Sequence, residues 1–448
     1  MPTDCNSPAI AFTPLGRRQL LAQFDGGRIT SDAGVLLLRE VAGQSRLFER
    51  MAACIPDPRD PAMIEHDQQT MLAQRVLGIA CGWEDLNDHH GLRVDPLMQV
   101  ASEANADGDA RPLASPSTLC RLENRVERSA CVVLSKLLVE RFIESFGDTP
   151  PQELVLDFDA TDDPIHGGQE GRFFHGYYDG YCFLPLYVFC GEKLLVSYLR
   201  PSNIDAAKHS RAILKLLVDR LRQAWPGVTI IFRGDSGFCR WKLMRWCDRH
   251  DVGYVIGLAR NKVLERMAAP FLHEAKRQYE LTQQKQRIFT EFDYAAGSWD
   301  RARRVIHKAE HNSQGDNPRF VVTNLTHQPQ PLYDEIYCAR GEMENRIKEQ
   351  QLGLFAGRTS CHVFQANQFR LLLSSFAYTL IETLRRTVLA GTELARAQAS
   401  TIRTKLLKIG AVVVSSVRRV VLRLSSAYPL KALFEQAARR LVAQVRVE

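Results

Sequence analysis

Residues Glu153–Ala160 read ELVLDFDA, and the arrangement of these eight residues decides the fold. Strand alternation puts Leu154, Leu156 and Phe158 on one face and Val155, Asp157 and Asp159 on the other. The first face is wholly apolar, as expected of a strand packed on a core. The second carries two carboxylates, which call for a cation or a partner group there. The alternative is an edge strand whose acidic face meets solvent. Asp159 lies nearer the strand end, with Thr161 just beyond, and is the preferred ligand; Asp157 is the weaker candidate.

Outward from this strand, residues 162–171 are turn-rich, 172–190 form an aromatic hairpin candidate, and 194–199 read as another strand. Residues 209–225 have helical apolar spacing and are stopped by Pro226 and Gly227. A short apolar strand at 228–232 runs into RGDSGF. A helix at 240–249 and a strand at 252–258 follow. The order β-β-β-α-β-α-β is that of the ribonuclease-H-like fold, a mixed α/β (α+β) sheet flanked by helices. Residues 268–326 then alternate in strand-like runs, and two helices are expected at 333–354 and 365–390. The expected organisation is a mainly helical DNA-binding region at 1–150, core at 151–262, a β-rich insertion at 263–331, core again at 332–400, and a basic region at 401–448.

A sheet of this kind performs phosphoryl transfer by holding divalent cations between carboxylates. Asp235 follows an apolar strand directly, where open α/β sheets collect ligands, and Gly234 and Gly237 allow a tight turn. Tyr337, Arg340, Glu344, Lys348 and Gln351 are spaced 3, 4, 4 and 3 apart, so one helix face carries all five. A salt-bridged surface helix would have the same pattern. Asp159, Asp235 and Glu344 together occur in the chain order and at the sheet positions that a metal-holding triad requires.

Composition limits the remaining possibilities. Of 448 residues, 45% are hydrophobic and 24% charged, an ordinary globular balance, and no apolar run is long enough to span a membrane. Eleven scattered cysteines without a CxxC pair argue against structural zinc and a disulfide framework, and point to the reducing cytoplasm. Net charge is +7 overall but +9 within residues 381–448, leaving −2 for the rest, as for a polyanion-facing tail on a near-neutral body. Arg121 and Arg125 lie on the polar face of a helix near residues 117–128, which either enters a DNA groove or is an ordinary surface helix.

The chain resembles the DDE transposases of bacterial insertion sequences, specifically the thirteen-eighty group in the branch with an inserted β-domain. That branch carries a Tyr-(2)-Arg-(3)-Glu-(6)-Lys signature. Tyr337, Arg340 and Glu344 match it; Gln351 takes the Lys position, with Lys348 one turn away. DATDDPIHGGQEGRFFHGYY, LRPSNIDAA, IIFRGDSGFCR and ENRIKEQQLGLF are similar to the group's own blocks. The resemblance implies Asp159, Asp235 and Glu344 as the catalytic triad, two Mg²⁺ ions with Mn²⁺ as a substitute, and phosphate contacts from Tyr337 and Arg340. It implies double-stranded DNA partners, namely terminal inverted repeats and target DNA, and a homodimer in the synapse. For Trp299 it implies stacking on an extruded base, against a plain hydrophobic plug between strands. A nuclease that cuts without joining and an inactive DNA-binding regulator are the competing functions.

Overall fold

The computed structural model describes residues 9–103, 111–416 and 418–445, and divides into two compact units. Unit 1 takes residues 1–126, 353–355 and 376–448; unit 2 takes 127–352 and 356–375. Unit 1 begins with an antiparallel hairpin, β1 (Ile10–Leu15) and β2 (Arg18–Ala22), then the short β3 (Ile29–Thr30). Its centre is the helix Gln68–Cys81, capped by Asp67, whose carboxylate accepts the Thr70 amide at 2.7 Å. Inside, the buried Arg75 guanidinium meets Glu123 at 2.8 Å and His89 at 3.2 Å.

Unit 2 is built on a nine-stranded mixed sheet. Its strands are β4 (Glu153–Ala160), β8 (Leu186–Cys190), β9 (Lys193–Tyr198), β10 (Thr229–Gly234), β11 (Gly253–Leu258), β12 (Gln286–Tyr294), β13 (Arg303–Asn312), β14 (Gly315–Asp316) and β15 (Arg319–Thr323). Between β4 and β8, the chain makes a separate three-stranded sheet of β5 (Asp163–Pro164), β6 (Phe173–His175) and β7 (Gly180–Phe183). The central order β9-β8-β4-β10-β11 has an antiparallel meander followed by two parallel strands, the ribonuclease-H-like core. Leu154, Leu156 and Phe158 enter the main core with Phe232 of β10 and Leu214, Leu217 and Val218 of the helix Ser210–Ala224. On the other face, Val155 packs against a smaller cluster of Ile231, Val255, Leu332 and Tyr333.

The segment after β11 departs from the sequence expectation in two ways. Lys262–Thr282 is a 21-residue helix, although it carries Pro270 and flanks the strand-like runs that draw attention in the sequence. Its Leu264, Ala268 and Ala275 are buried at helical spacing. The strands that follow also continue the core sheet: β15 pairs antiparallel with the free edge of β11, from Val255↔Thr323 to Leu258↔Phe320. Pairing that edge satisfies its backbone donors and acceptors.

The expected helix at 333–354 is subdivided. A π-type turn (Leu332–Tyr337), a 3-10 turn (Cys338–Arg340), an α-helix (Gly341–Lys348) and another π-type turn (Glu349–Gly353) follow in sequence. Local register changes of this kind recur at functional sites. Phe364–Thr383 is the next helix.

The basic carboxyl-terminal region is folded where it is described, in residues 401–416 and 418–445. β16 (Ala411–Ser416) pairs with β3 and with β17 (Arg419–Leu424), and the helix Lys431–Val445 buries Ala437 and Leu441. Lys408 forms an ion pair with buried Asp32 at 2.7 Å, and Arg403 donates to the Ala80 carbonyl at 2.9 Å. Part of the basic excess therefore serves unit 1 itself. No helix among the described residues is long and apolar enough to cross a membrane, and the described cysteines are free thiols.

Candidate active site

Parallel pairing of β4 and β10 brings the first two acids side by side. The ladder runs from Thr229↔Glu153 to Gly234↔Phe158, so Asp235 leaves β10 one step beyond the last pair, level with Asp159. Neighbouring strands lie about 4.8 Å apart. Asp235 then caps the 3-10 turn Ser236–Phe238, its Oδ1 accepting the Gly237 amide at 2.9 Å. The two glycines around it are close-contact positions: a Cβ on Gly234 would stand 3.1 Å from the Phe238 Cβ, and one on Gly237 3.0 Å from the Asp235 Oδ1.

Glu344 comes from the helix Gly341–Lys348, and Arg340, one turn earlier, joins it to the strand acids. Arg340 Nη2 donates to Glu344 Oε1 at 2.7 Å, and its Nη1 lies 3.4 Å from Asp159 Oδ2. Burial pulls the guanidinium's pKa down, but Asp159, Glu344 and Asp235 outweigh it and hold the group above its usual value. Asp159 responds the other way. Burial raises its carboxyl to about 7, with Asp235 and Glu344 adding to the rise and Arg340 and the Ala160 amide opposing it.

Tyr337 also belongs to this cluster. A Cβ on Gly257 of β11 would stand 2.6 Å from its hydroxyl oxygen and 3.0 Å from the Ser236 amide nitrogen. The bare backbone at Gly257 thus lets the tyrosine and the Asp235 turn approach the same strand. Burial raises the Tyr337 hydroxyl's pKa, with Asp235 contributing.

Three carboxylates around one arginine supply the hard oxygen donors that Mg²⁺ or Mn²⁺ requires. Asp159, held at about 7, is only part-ionised near neutral pH, and an incoming cation would favour its charged form. The donor chemistry therefore fits divalent cations. Among the described residues, no three His, Cys, Asp or Glu side chains are grouped as a ready-made cation cage; Arg340 bridges Asp159 and Glu344.

The other candidate residues fall in different surroundings. Asp157 is internally neutralised: Arg233 of β10 forks both its oxygens, Nη2 to Oδ2 at 2.5 Å, and the pair is buried. It is a structural acid and not a free ligand. Lys348 is exposed one turn past Glu344, and Gln351 donates to the Asp162 carbonyl at 3.0 Å, tying the helix to the loop after β4. Trp299 is half-buried against the main core, edge-on to Tyr294 at 5.5 Å and with Arg303 5.7 Å from its ring, which is the plug arrangement. Arg121 is exposed and bonds to Thr118 at 3.2 Å. Arg125 is engaged inside unit 1, at 2.6 Å from Gln68 and 3.5 Å from Asp57, so its head group is not a free DNA contact.

Arg233 and Gly257 are the site residues that the sequence reading missed. Arg233 stands opposite Asp157 in the β4–β10 register, a signal usable only once those strands are paired. Gly257 carried the weaker cue of a glycine inside an apolar strand.

A family model described as Transposase DDE domain group 1 matches residues 12–446. No curated protein matches the chain. Among solved structures, a cryo-electron-microscopy structure of a piggyBac transposase synaptic complex with hairpin DNA aligns at 10% identity and a TM-score of 0.41. The alignment covers 93% of this chain and 82% of that one.

Proposed function

The chain belongs to the DDE transposase family, Transposase DDE domain group 1, and on that premise we propose that it mobilises a bacterial insertion sequence of the thirteen-eighty group. As a DDE transposase it is a DNA-cutting and strand-transfer enzyme. Its substrates in this proposal are the element's terminal inverted repeats and a target duplex, handled by a homodimer that pairs two ends. The observation that carries the proposal is the pairing of Asp159 and Glu344 with Arg340, together with Asp235 leaving β10 beside Asp159 on the neighbouring strand.

Asp159, Asp235 and Glu344 would hold two magnesium ions, for which manganese substitutes, to supply Lewis-acid stabilisation of an in-line phosphoryl displacement. Arg340 contributes a permanent charge and a planar fork suited to a phosphate oxygen beside the scissile bond. The Tyr337 hydroxyl offers a second donor to that phosphate. Arg233 orients the assembly: besides gripping Asp157 on β4, it donates to the Ile336 carbonyl, next to Tyr337. Lys348, on the same helix as Glu344, extends the phosphate path along the solvent side.

The test is incubation of the full chain with duplexes that contain the element's ends, in Mg²⁺, followed by analysis for joined products. Joined products that vanish in Asp159→Asn, Asp235→Asn and Glu344→Gln, with DNA binding retained, are expected. Cleavage without joining would replace the proposal by a nuclease, and binding alone by a regulator.

A further inference from the structure

Unit 1 extends two β-hairpins with arginines at their tips. In the β1–β2 hairpin, all eleven strand residues are exposed, and the turn between the strands contains Gly16 in the left-handed region and Arg17. Leu15, the last residue of β1, is 75% exposed and pairs with Arg18, the first of β2. The β16–β17 hairpin has Arg418 in its turn, Arg419 opening the second strand and Arg423 further along it. The two share an anchor, because β3, which follows β2 by six residues, pairs with β16 at Val412↔Ile29 and Ala411↔Thr30.

An isolated two-stranded hairpin with apolar residues on both faces is marginal in water, so something covers it. The charge pattern identifies what. No acid occurs in residues 10–24, and none between Glu393 and Glu435. Among the described residues Arg17, Arg18, Arg418, Arg419 and Arg423 enter no ion pair, whereas Arg39, Arg46, Arg59 and Arg75 of the same unit all do. Two uniformly positive ribbons would repel one another across a dimer of this chain, and they complement a polyanion. The minor groove, about 6 Å wide, admits arginine side chains, and an apolar wedge beside them can enter a base step.

We propose that the β1–β2 hairpin is an arm that enters the minor groove of duplex DNA, with Leu15 as a wedge and Arg17 and Arg18 along the groove and its phosphates. Arg418, Arg419 and Arg423 hold neighbouring phosphates from the β16–β17 hairpin. The inference rests on the transposase reading only in taking that duplex to be the enzyme's substrate.

The experiment measures affinity of the full chain for a fluorescent duplex in EDTA across a salt series, so that binding is read apart from chemistry. In Arg17→Ala/Arg18→Ala the plot of log affinity against log salt becomes shallower by about 1.8, and in Arg418→Ala/Arg419→Ala/Arg423→Ala by about 2.7. Leu15→Ala keeps the slope but loses DNA bending, read as end-to-end energy transfer. All are exposed positions, and melting curves matching the parent confirm folding. Unchanged affinity and slope in the arginine variants overturn the proposal. So does a shift from dimer to monomer in sedimentation with DNA binding intact, which would make the arm a clamp between copies. Joined products assayed with Asp159→Asn report on the transposase reading separately, so an arm that fails leaves that reading standing or falling on its own result.

Discussion

Arg233 grips Asp157 across the β4–β10 step, Nη2 to Oδ2 at 2.5 Å, and with its other terminal nitrogen donates to the carbonyl of Ile336. The two aspartates of one strand therefore have different fates. Asp157 spends its charge on an internal guanidinium, while Asp159, two residues on, faces Arg340 and the other acids. Replacing Arg233 by Met would leave a buried carboxylate without its partner, at a cost of about 3–5 kcal/mol. Urea unfolding measures this, and Arg233→Met/Asp157→Leu is expected to recover most of the loss. A single variant as stable as the parent would contradict the buried pair.

Arg340 bridges Asp159 and Glu344, two of the acids that would hold a cation. Arg340→Ala is expected to bind Mn²⁺ more tightly in the DNA-free protein, because a competing positive charge is gone. Strand transfer should nonetheless fall about 10²–10³-fold through loss of a donor to the phosphate. Arg340→Lys restores charge without the fork and recovers only part. Calorimetric titration showing weaker Mn²⁺ binding in the alanine variant would sink this account.

Gly257 leaves no room for a side chain. Gly257→Ala should cost about 1–3 kcal/mol through overpacking against Tyr337 and the Asp235 turn, and depress joining more than stability. Adding Tyr337→Phe removes the nearest clash and restores part of the stability. The backbone contact at Ser236 remains, so recovery is incomplete. Thermal melts of the single and double variants decide the point.

His307 of β13 sits in an aromatic cage, stacked on Phe320 at 4.8 Å, and burial lowers its pKa to about 4. The unfolded chain therefore takes up a proton near pH 6.5 that the folded protein refuses until about pH 4. Its contribution is fully present above pH 6.5 and declines as pH falls through that window, by on the order of 3 kcal/mol at pH 4. His307→Phe should flatten the stability profile between pH 6.5 and 4. An unaltered profile would assign the acid sensitivity to other groups.

Trp299 packs against Tyr294 and Arg303, so Trp299→Ala is expected to lose about 2–3 kcal/mol of stability, largely restored in Trp299→Phe. Should the alanine variant keep its stability and lose joined products instead, the ring stacks on DNA as the family resemblance implies.

Local physics alone determined much of this protein. Alternation along ELVLDFDA set the two faces of β4; the order of apolar runs set a meander followed by αβ units; and the end of the apolar strand before RGDSGF marked Asp235 as a ligand candidate. Each of these follows from residue period and from where a strand ends. Which cation answers which acid was decided only in three dimensions, because the Arg233–Asp157 and Arg340–Asp159 partners lie 76 and 181 residues apart. Strand register brings the first pair together, and helix docking the second. The same holds for Arg125, whose polar-face position in the sequence conceals partners 57 and 68 residues upstream of it, and for the basic carboxyl-terminal region, whose strand is claimed by β3. A sequence states what a side chain can do; long-range packing settles whether a partner within the fold has already taken its charge.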